Sequence, residues 1–316
     1  MPAETTISLS LAGRFSIVLI AGSWPDLLER VWGSVRLFFM FGHPLVFTPV
    51  QQKGSRNMTN SMEISSNKFA FLMKFYNKGK IENPRFFHRL GNPDINGCNV
   101  LEIGCGTGSL AVYMVETLGA AHVLSIDIEK DCIAFARTNL AHNHPALNGK
   151  IEYSSLLLEE LPPDSKFDCI VAKDTFEHII EFKQVFFSMA EHLNPGGRIL
   201  SGFGPLWESY RGGHALTVHP FDHLLPEQYV INRYNKRHHA SLKTIREHGL
   251  NQLKLNDYLN VFAESGLRQD YIRMNCNDSR FIELTMGSLL KLPFLRRFTA
   301  NVYVILTKPG CPSSDN

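Results

Sequence analysis

The sequence predicts an α/β fold in which helices cover both faces of a doubly wound, mostly parallel sheet of seven strands. Short apolar runs typical of buried strands alternate with longer segments whose apolar residues recur at helical spacing. Such an alternation is characteristic of parallel strands joined by crossover helices. With 316 residues, 44% of them apolar, the chain is long enough for one large domain with its own core.

The clearest strand–turn–helix–strand unit spans residues 98–127. One apolar run leads into Gly104, Gly106 and Gly108, and a second apolar run ends on Asp127. Glycines let the backbone approach a ligand closely, and the helix that follows offers unpaired N–H groups to a negative charge. An acid at the tip of the second strand can accept hydrogen bonds from two ribose hydroxyls. The unit therefore predicts a site for a nucleoside that carries a charged tail.

The other elements follow from the same periodicities. Glu129 and Asp131 favour a helix start, while Pro195, Gly196 and Gly197 are expected to stop a helix before the fifth strand. The predicted helices are residues 68–76, 86–90, 111–118, 129–140 and 182–193, and the predicted strands are residues 100–103, 123–126, 151–154, 167–172, 198–203, 267–274 and 302–306.

Three motifs carry a resemblance to a known family. The glycines depart from the dinucleotide fingerprint G-x-G-x-x-G, because Ser109 holds its sixth position. Instead, VLEIGCGTG at residues 100–108 resembles the first motif of class I S-adenosylmethionine-dependent methyltransferases. KDTFEHI at residues 173–179 and LNPGGRIL at residues 193–200 resemble later motifs of the same family. The resemblance covers about residues 61–310 and implies the Rossmann-like methyltransferase fold, whose sheet would be closed by antiparallel strands at residues 267–274 and 302–306.

The resemblance also implies S-adenosylmethionine as the cofactor. The family often has an acid that contacts adenine after its third strand, but this chain reads SSLLLEELPP there, so no adenine contact is assigned. Asp127 stands where the family has its ribose-binding acid. The cofactor-binding residues implied by the resemblance are Glu102, Gly104, Cys105, Gly106, Thr107, Gly108, Asp127, Ile128 and Asp174.

A long insertion after the fifth strand, residues 203–255, is predicted to cap the acceptor pocket. Methyl transfer to a hydroxyl requires a proton to leave, and histidine is the natural base near neutral pH. His214 and His219 in the insertion are the leading candidates, followed by His178 after the fourth strand; catalysis by positioning alone is the alternative. No metal is predicted, because the spacing of His214, His219 and His223 fits no tight ligand set. The insertion also holds Trp207, Tyr210, Arg211 and Phe221, a mixture typical of a ligand pocket.

Residues 1–57 differ from the rest of the chain in composition, and we expect them to lie outside the domain formed by residues 58–316. Their apolar runs are too short to span a bilayer, and Glu4 makes the first of them a poor secretory signal. A membrane-surface anchor or a substrate lid are the functional alternatives. The favoured hypothesis is a dispensable extension.

The charge of the chain and its cysteines indicate which binding partners and which cellular compartment to expect. A net charge of +2 gives no global electrostatic case for nucleic acid. Residues 233–246 hold five basic side chains without an acid and could receive an acidic acceptor or an anionic lipid surface, although a solvated helix face is favoured. Residues 289–298 mix apolar with basic side chains and could also touch a membrane, although packing over the sheet is favoured. Six scattered cysteines without a C-x-x-C pair suit a reducing compartment, so a cytoplasmic location is expected.

The sequence thus predicts an S-adenosylmethionine-dependent methyltransferase that acts at oxygen on a small or medium-sized acceptor. An NAD-dependent oxidoreductase is the first alternative, but the Tyr76-x-x-x-Lys80 pair precedes the glycine turn, whereas in short-chain dehydrogenases it follows. A non-catalytic cofactor-binding scaffold is the second, and the intact turn and Asp127 disfavour it. The identity of the acceptor and the oligomeric state are not predicted.

Overall fold

The computed structural model describes residues 66–277, 280–289, 292 and 294–310. The predicted N-terminal extension, residues 1–57, lies outside these described residues.

The described strands form one sheet of seven with the order β3-β2-β1-β4-β5-β7-β6. Strands β1 to β5 pair in parallel, and β7 runs antiparallel to both of its neighbours, β5 and β6. The predicted sheet is therefore confirmed. The strands are β1 Asn99–Ile103, β2 His122–Ile126, β3 Ile151–Ser154, β4 Phe167–Lys173, β5 Leu193–Phe203, β6 Arg268–Met274 and β7 Val302–Thr307.

Helices cover both faces of this sheet, as predicted. Along β4, Cys169 and Val171 face the core under α1, α2 and α3, while Ile170 and Ala172 face the core under α4 and α6. This alternation is the period-2 pattern of a strand buried on both sides. The helices are α1 Ser66–Arg89, α2 Ser109–Glu116, α3 Lys130–Asn143, α4 Phe182–Glu191, α5 Glu227–His238, α6 Leu255–Glu264 and α7 Arg280–Leu289.

The two short helices predicted before the first strand are one continuous helix, α1, with Pro84 inside it. Proline lacks the N–H that would bond the preceding turn, so its presence inside a helix is locally unfavourable. Pro84 lies on the exposed face, however, and one buried stripe runs past it from Leu72 and Tyr76 to Phe86 and Leu90. Packing of this stripe against the domain outweighs the local cost of the proline.

The expected turn at Pro195–Gly197 is instead part of β5, which begins at Leu193. The N–H of Gly196 bonds the carbonyl of Lys308, and the N–H of Lys308 bonds the carbonyl of Gly197. The chain beyond β7 therefore supplies a pairing partner that local sequence could not reveal. In the pairing of β4 with β5, a register shift between Phe167 and Cys169 accommodates these additional β5 residues.

The insertion leaves the carboxyl end of β5 and returns at α6. It contains α5 and short 3₁₀ segments, and Leu216, Val230, Ile231, Tyr234, Ile245 and Leu250 form its own small core. Among the described residues, no helix combines the length and apolar character needed to cross a bilayer.

Candidate cofactor and acceptor site

The glycine turn between β1 and α2 adopts a backbone that side chains disfavour. Gly104, Gly106 and Gly108 have φ angles of 76°, 51° and 76°. A Cβ on Gly104 would lie 2.5 Å from Thr175 Oγ1, and a Cβ on Gly108 would lie 2.6 Å from the ring of Tyr153. A Cβ on Gly106 would meet nothing within 4 Å. Gly104 and Gly108 thus serve internal packing, whereas Gly106 faces open space where a ligand can approach the backbone.

Asp127, at the end of β2, holds this turn from the opposite side. Its Oδ2 accepts a hydrogen bond from the Gly106 N–H at 2.7 Å, and its Oδ1 accepts one from the Glu129 N–H at 2.8 Å. A carboxylate offers about four lone-pair positions. About two therefore stay available on the half-buried side chain for hydroxyl donors of a ligand. Next to it, Ile128 is 60% exposed and offers apolar surface at the carboxyl edge of the sheet.

Glu102 lies beneath the turn rather than in the opening. It is buried on β1, and its Oε2 accepts a hydrogen bond from Ser125 Oγ at 2.7 Å. Burial raises the pKa of Glu102 to about 8. Within the turn itself, Cys105 is buried, which raises the pKa of its thiol, and Thr107 is half-buried. These side chains support the turn, while the backbone is the part that a ligand can reach.

Helix α1 forms a wall beside the turn through contacts that the sequence analysis missed. Gly79 lets the helix approach closely, because a Cβ there would lie 2.0 Å from Ser109 Oγ. Asn83 is buried and donates to Ser109 Oγ at 3.3 Å, while its Oδ1 accepts from Lys173 Nζ at 3.1 Å. A single amide thus links α1, α2 and the end of β4. The sequence feature that could have indicated these contacts is Asn83, a polar residue within the apolar stripe of α1.

The segment after β4 is fixed by the far end of the insertion. The N–H of Asn251 donates to the carbonyl of Glu177, and its side-chain amide donates to the carbonyls of Phe176 and Ile179 at 2.7 and 3.0 Å. Asp174 immediately precedes this segment and has a φ angle of 51°. The surrounding protein removes its carboxyl group from water, which raises the pKa of Asp174. The insertion is therefore anchored directly beside the carboxyl end of β4, where ligands bind in open α/β sheets.

Glu177 is a buried carboxyl group at the root of the insertion. Its Oε1 accepts a hydrogen bond from the Gly204 N–H at 3.0 Å, whereas Oε2 is buried without a partner among the described residues. Burial first, and the nearby Asp174 second, raise the pKa of Glu177 to about 8. Glu177, Trp207, His214, Asn251 and Tyr258 line a small cavity at this position.

The structure brings His178 and His214 together. Their ring centroids are 5.2 Å apart, nearly perpendicular. His178 Nδ1 lies 2.8 Å from the carbonyl of Gly249, so it must carry the proton, and the lone pair is on Nε2. His214 Nε2 lies 3.2 Å from the carbonyl of Pro205, which places its lone pair on Nδ1. The protein around these rings lowers the pKa of His178 and lowers that of His214 to about 3, so both are neutral at physiological pH.

The other histidines of the insertion lie in different surroundings. His219 is exposed, and its backbone carbonyl accepts from Thr217. His223 is buried with Nε2 2.6 Å from the carbonyl of Trp207, and His248 packs edge-on against Tyr234. Within the described ranges, no group of three or more His, Cys, Asp or Glu side chains is arranged to hold a metal ion.

Comparison with known proteins finds similarity to methyltransferases. Residues 101–199 match the family described as methyltransferase domain. The ubiquinone biosynthesis O-methyltransferase of Bradyrhizobium diazoefficiens is 26% identical over 174 residues, which cover 55% of this chain and 62% of that protein. The phosphoethanolamine N-methyltransferase of Triticum aestivum is 32% identical over 104 residues, 33% of this chain and 20% of that protein. A solved S-adenosylmethionine-dependent methyltransferase from Mesorhizobium loti aligns with 71% of this chain and 96% of its own, with a TM-score of 0.48 and 18% identity.

The doubly wound sheet, the glycine turn and the acid at the tip of β2 define a Rossmann-like cofactor-binding domain. Residues 101–199 thus match the methyltransferase domain family, and the cofactor that this match implies is S-adenosylmethionine. The chain spans less than two thirds of the length of the curated relatives described above.

Proposed function

We propose that this protein transfers a methyl group from S-adenosylmethionine to an oxygen atom of a small-molecule acceptor. The observation that carries the proposal is the pairing of an open backbone at Gly106 with an anchored carboxylate at Asp127 that retains lone pairs. When bound, S-adenosylmethionine supplies an activated methyl group on a sulfonium. The name of the Bradyrhizobium relative supports oxygen as the acceptor atom, whereas that of the wheat relative names nitrogen.

At the cofactor end, Asp127 would accept the ribose hydroxyls, and the backbone of residues 104–108 would border the ligand. The exposed side chain of Ile128 would pack against the base. Glu102 lies beneath the turn and would support the ligand site indirectly, by holding the strand ends that carry the turn. Asp174, at the end of β4, would face the polar end of the ligand.

At the acceptor end, His178 is the best-placed base among the three candidate histidines. Its Nε2 carries a lone pair because Nδ1 is committed to the Gly249 carbonyl. The pKa of about 3 makes His214 a poor proton acceptor, since base strength falls with pKa. We assign His214 a positioning role. Its neutral ring beside His178 makes the site unfavourable for a cationic ligand and orients the acceptor. His219 remains a candidate base, and the turnover of His178→Ala, described below, tests it too.

The cofactor is tested by calorimetric titration of the full chain with S-adenosylmethionine and, separately, with NAD. We expect binding of S-adenosylmethionine alone, and its loss in Gly106→Val, whose side chain enters the open space. Gly149→Val is a matched control, because Gly149 also has open surroundings and a positive φ but lies in the turn before β3. Binding of NAD instead, or unchanged binding by Gly106→Val, would refute the cofactor site.

The acceptor atom is tested by incubating the protein with methyl-labelled S-adenosylmethionine and a metabolite extract. Mass spectrometry of the labelled products distinguishes a methyl ether from a methylated amine. We expect an ether, and we expect His178→Ala to lose turnover while it keeps cofactor affinity. A labelled amine would overturn the choice of oxygen, and full turnover by His178→Ala would return the role to His219 or to positioning alone.

A further inference from the structure

Large apolar side chains are exposed on the insertion to an extent unusual for a folded domain. Val218 is 59% exposed, and four more exposed apolar residues lie within the next eleven positions. Scattered single apolar residues need no explanation, but a concentration of them marks an interaction surface. These exposed residues are Val218, Phe221, Leu224, Leu225 and Tyr229.

A second segment, distant in sequence, adds to this surface. The ring of Phe298 packs edge-on against Phe221 with centroids 5.9 Å apart. Backbone hydrogen bonds join Phe298 to Leu295 and Leu295 to Leu292. This segment carries Leu292 and Phe294, and Phe294 is 69% exposed. We call the exposed apolar residues of both segments together the cap surface.

The backbone directs these side chains outward. Within one 3₁₀ turn, His223 points inward to the Trp207 carbonyl, while Phe221 and Leu224 on either side of it are exposed. Phe221 has φ 65°, a conformation that bulky residues rarely adopt, and its N–H is held by the Tyr210 carbonyl at 3.0 Å. The apolar exposure is thus built into a hydrogen-bonded turn rather than left at a frayed end.

Basic side chains border the cap surface. On α5, Val230, Ile231 and Tyr234 are buried, whereas Tyr229, Arg233, Lys236 and Arg237 follow one exposed face at helical spacing. Arg233 lies over the Tyr229 ring and pairs with Asp222 at 4.0 Å. Lys236, Arg237 and, next to Phe298, Arg296 form no ion pair within the part of the chain that the structure describes.

We propose that the cap surface docks onto a bilayer that contains anionic phospholipids. Exposed aliphatic and aromatic side chains beside a row of cations are the pattern of interfacial segments, in which the apolar groups enter the acyl boundary and the cations meet phosphates. Protein interfaces, by contrast, are depleted of lysine. The proposal does not depend on methyl transfer, because the docking residues lie outside the cofactor turn.

The test is flotation of the full chain with vesicles of phosphatidylcholine alone and of phosphatidylcholine mixed with phosphatidylglycerol. We expect binding to the mixed vesicles that weakens as salt is raised, and little binding to the neutral ones. Lys236→Ala with Arg237→Ala should lower the partition coefficient about 25-fold, roughly fivefold for each charge removed. Leu225→Ser with Phe294→Ser should abolish binding at every salt concentration.

Matched controls carry the same changes elsewhere. Phe71→Ser with Ile81→Ser removes one aromatic and one aliphatic exposed residue from α1, and Lys150→Ala removes an exposed charge from the turn before β3. The controls should bind as the parent does, and circular dichroism should show every variant folded. Failure of the parent to float with mixed vesicles would overturn the proposal. Equal losses of vesicle binding in the controls and the cap variants would also overturn it. A concentration-dependent dimer without vesicle binding would overturn it as well, and would assign the cap surface to contact with a second copy of the chain.

Discussion

Replacement of Asp127 by asparagine separates the two tasks of this side chain. The carboxylate now accepts two backbone N–H groups, at 2.7 and 2.8 Å, one on each oxygen. Asparagine has nearly the same shape but only one acceptor oxygen, so in either orientation its amide group faces a backbone N–H. The loss of one charge-assisted bond costs about 1.5–3 kcal/mol. Since about 1 kcal/mol shifts Tm by roughly 2–4 °C in a domain of this size, the variant should melt several degrees lower.

The same substitution should weaken cofactor binding. The ribose hydroxyls would lose the charged acceptor that retains free lone pairs, and about 1.4 kcal/mol corresponds to a tenfold change in Kd. We expect the Kd for S-adenosylmethionine, measured by calorimetry, to rise at least about tenfold in Asp127→Asn. Asp131→Asn, on the neighbouring helix turn where Asp131 pairs with Lys68, removes the same charge and should leave Kd unchanged. A lower Tm with an unaltered Kd would refute the ribose role and leave Asp127 only as the anchor of the turn.

The remaining predictions address packing, protonation and the N-terminus. Gly108→Ala should lower Tm because its Cβ would lie 2.6 Å from a buried tyrosine ring, whereas Gly106→Ala meets no atom within 4 Å and should cost less; equal melting temperatures would contradict this packing. The acidic limb of the kcat/KM profile should fall below the ordinary histidine pKa of about 6.5, because the His178 pKa is lowered, and the residual activity of His178→Ala should lack this limb. The raised pKa of Glu177 gives stability that is full below about pH 4.5 and lost as pH rises through about 8, so Glu177→Gln should flatten the decline of Tm over that window; a parallel decline in the variant would argue against it. A protein that begins at Met58 should keep the parental Tm and cofactor affinity, and a loss of either would show that the preceding residues support the domain.

The sequence predicted those features whose causes are local. The glycine spacing at 104, 106 and 108 requires positive φ angles, and all three glycines have them. Apolar runs marked the inner strands because strands buried on both faces leave little room for polar residues, whereas the edge strand β6 is largely polar and is exposed or half-buried throughout. The acid at position 127 could be placed because parallel strands end at the same edge of the sheet.

Local reasoning failed where distant parts of the chain supply the partner. The segment before β1 was predicted as two short helices, but a buried stripe from Leu72 to Leu90 stabilises one continuous helix. The Pro195–Gly197 segment looked like a turn, but Lys308, more than a hundred residues later, pairs with it.

What the sequence by itself determined is therefore the class of fold and the glycine turn between β1 and α2, because spacing and residue type dictate both. The tertiary structure alone decided which candidate histidines lie together and where the proton of His178 resides. His178 and His214 are 36 positions apart in the printed sequence, yet their rings lie 5.2 Å from each other. The assignment of the lone pair on His178 rests on the carbonyl of Gly249, a contact made only when the end of the insertion folds against the segment after β4. Protonation follows from three-dimensional neighbours, and residue type alone does not specify them.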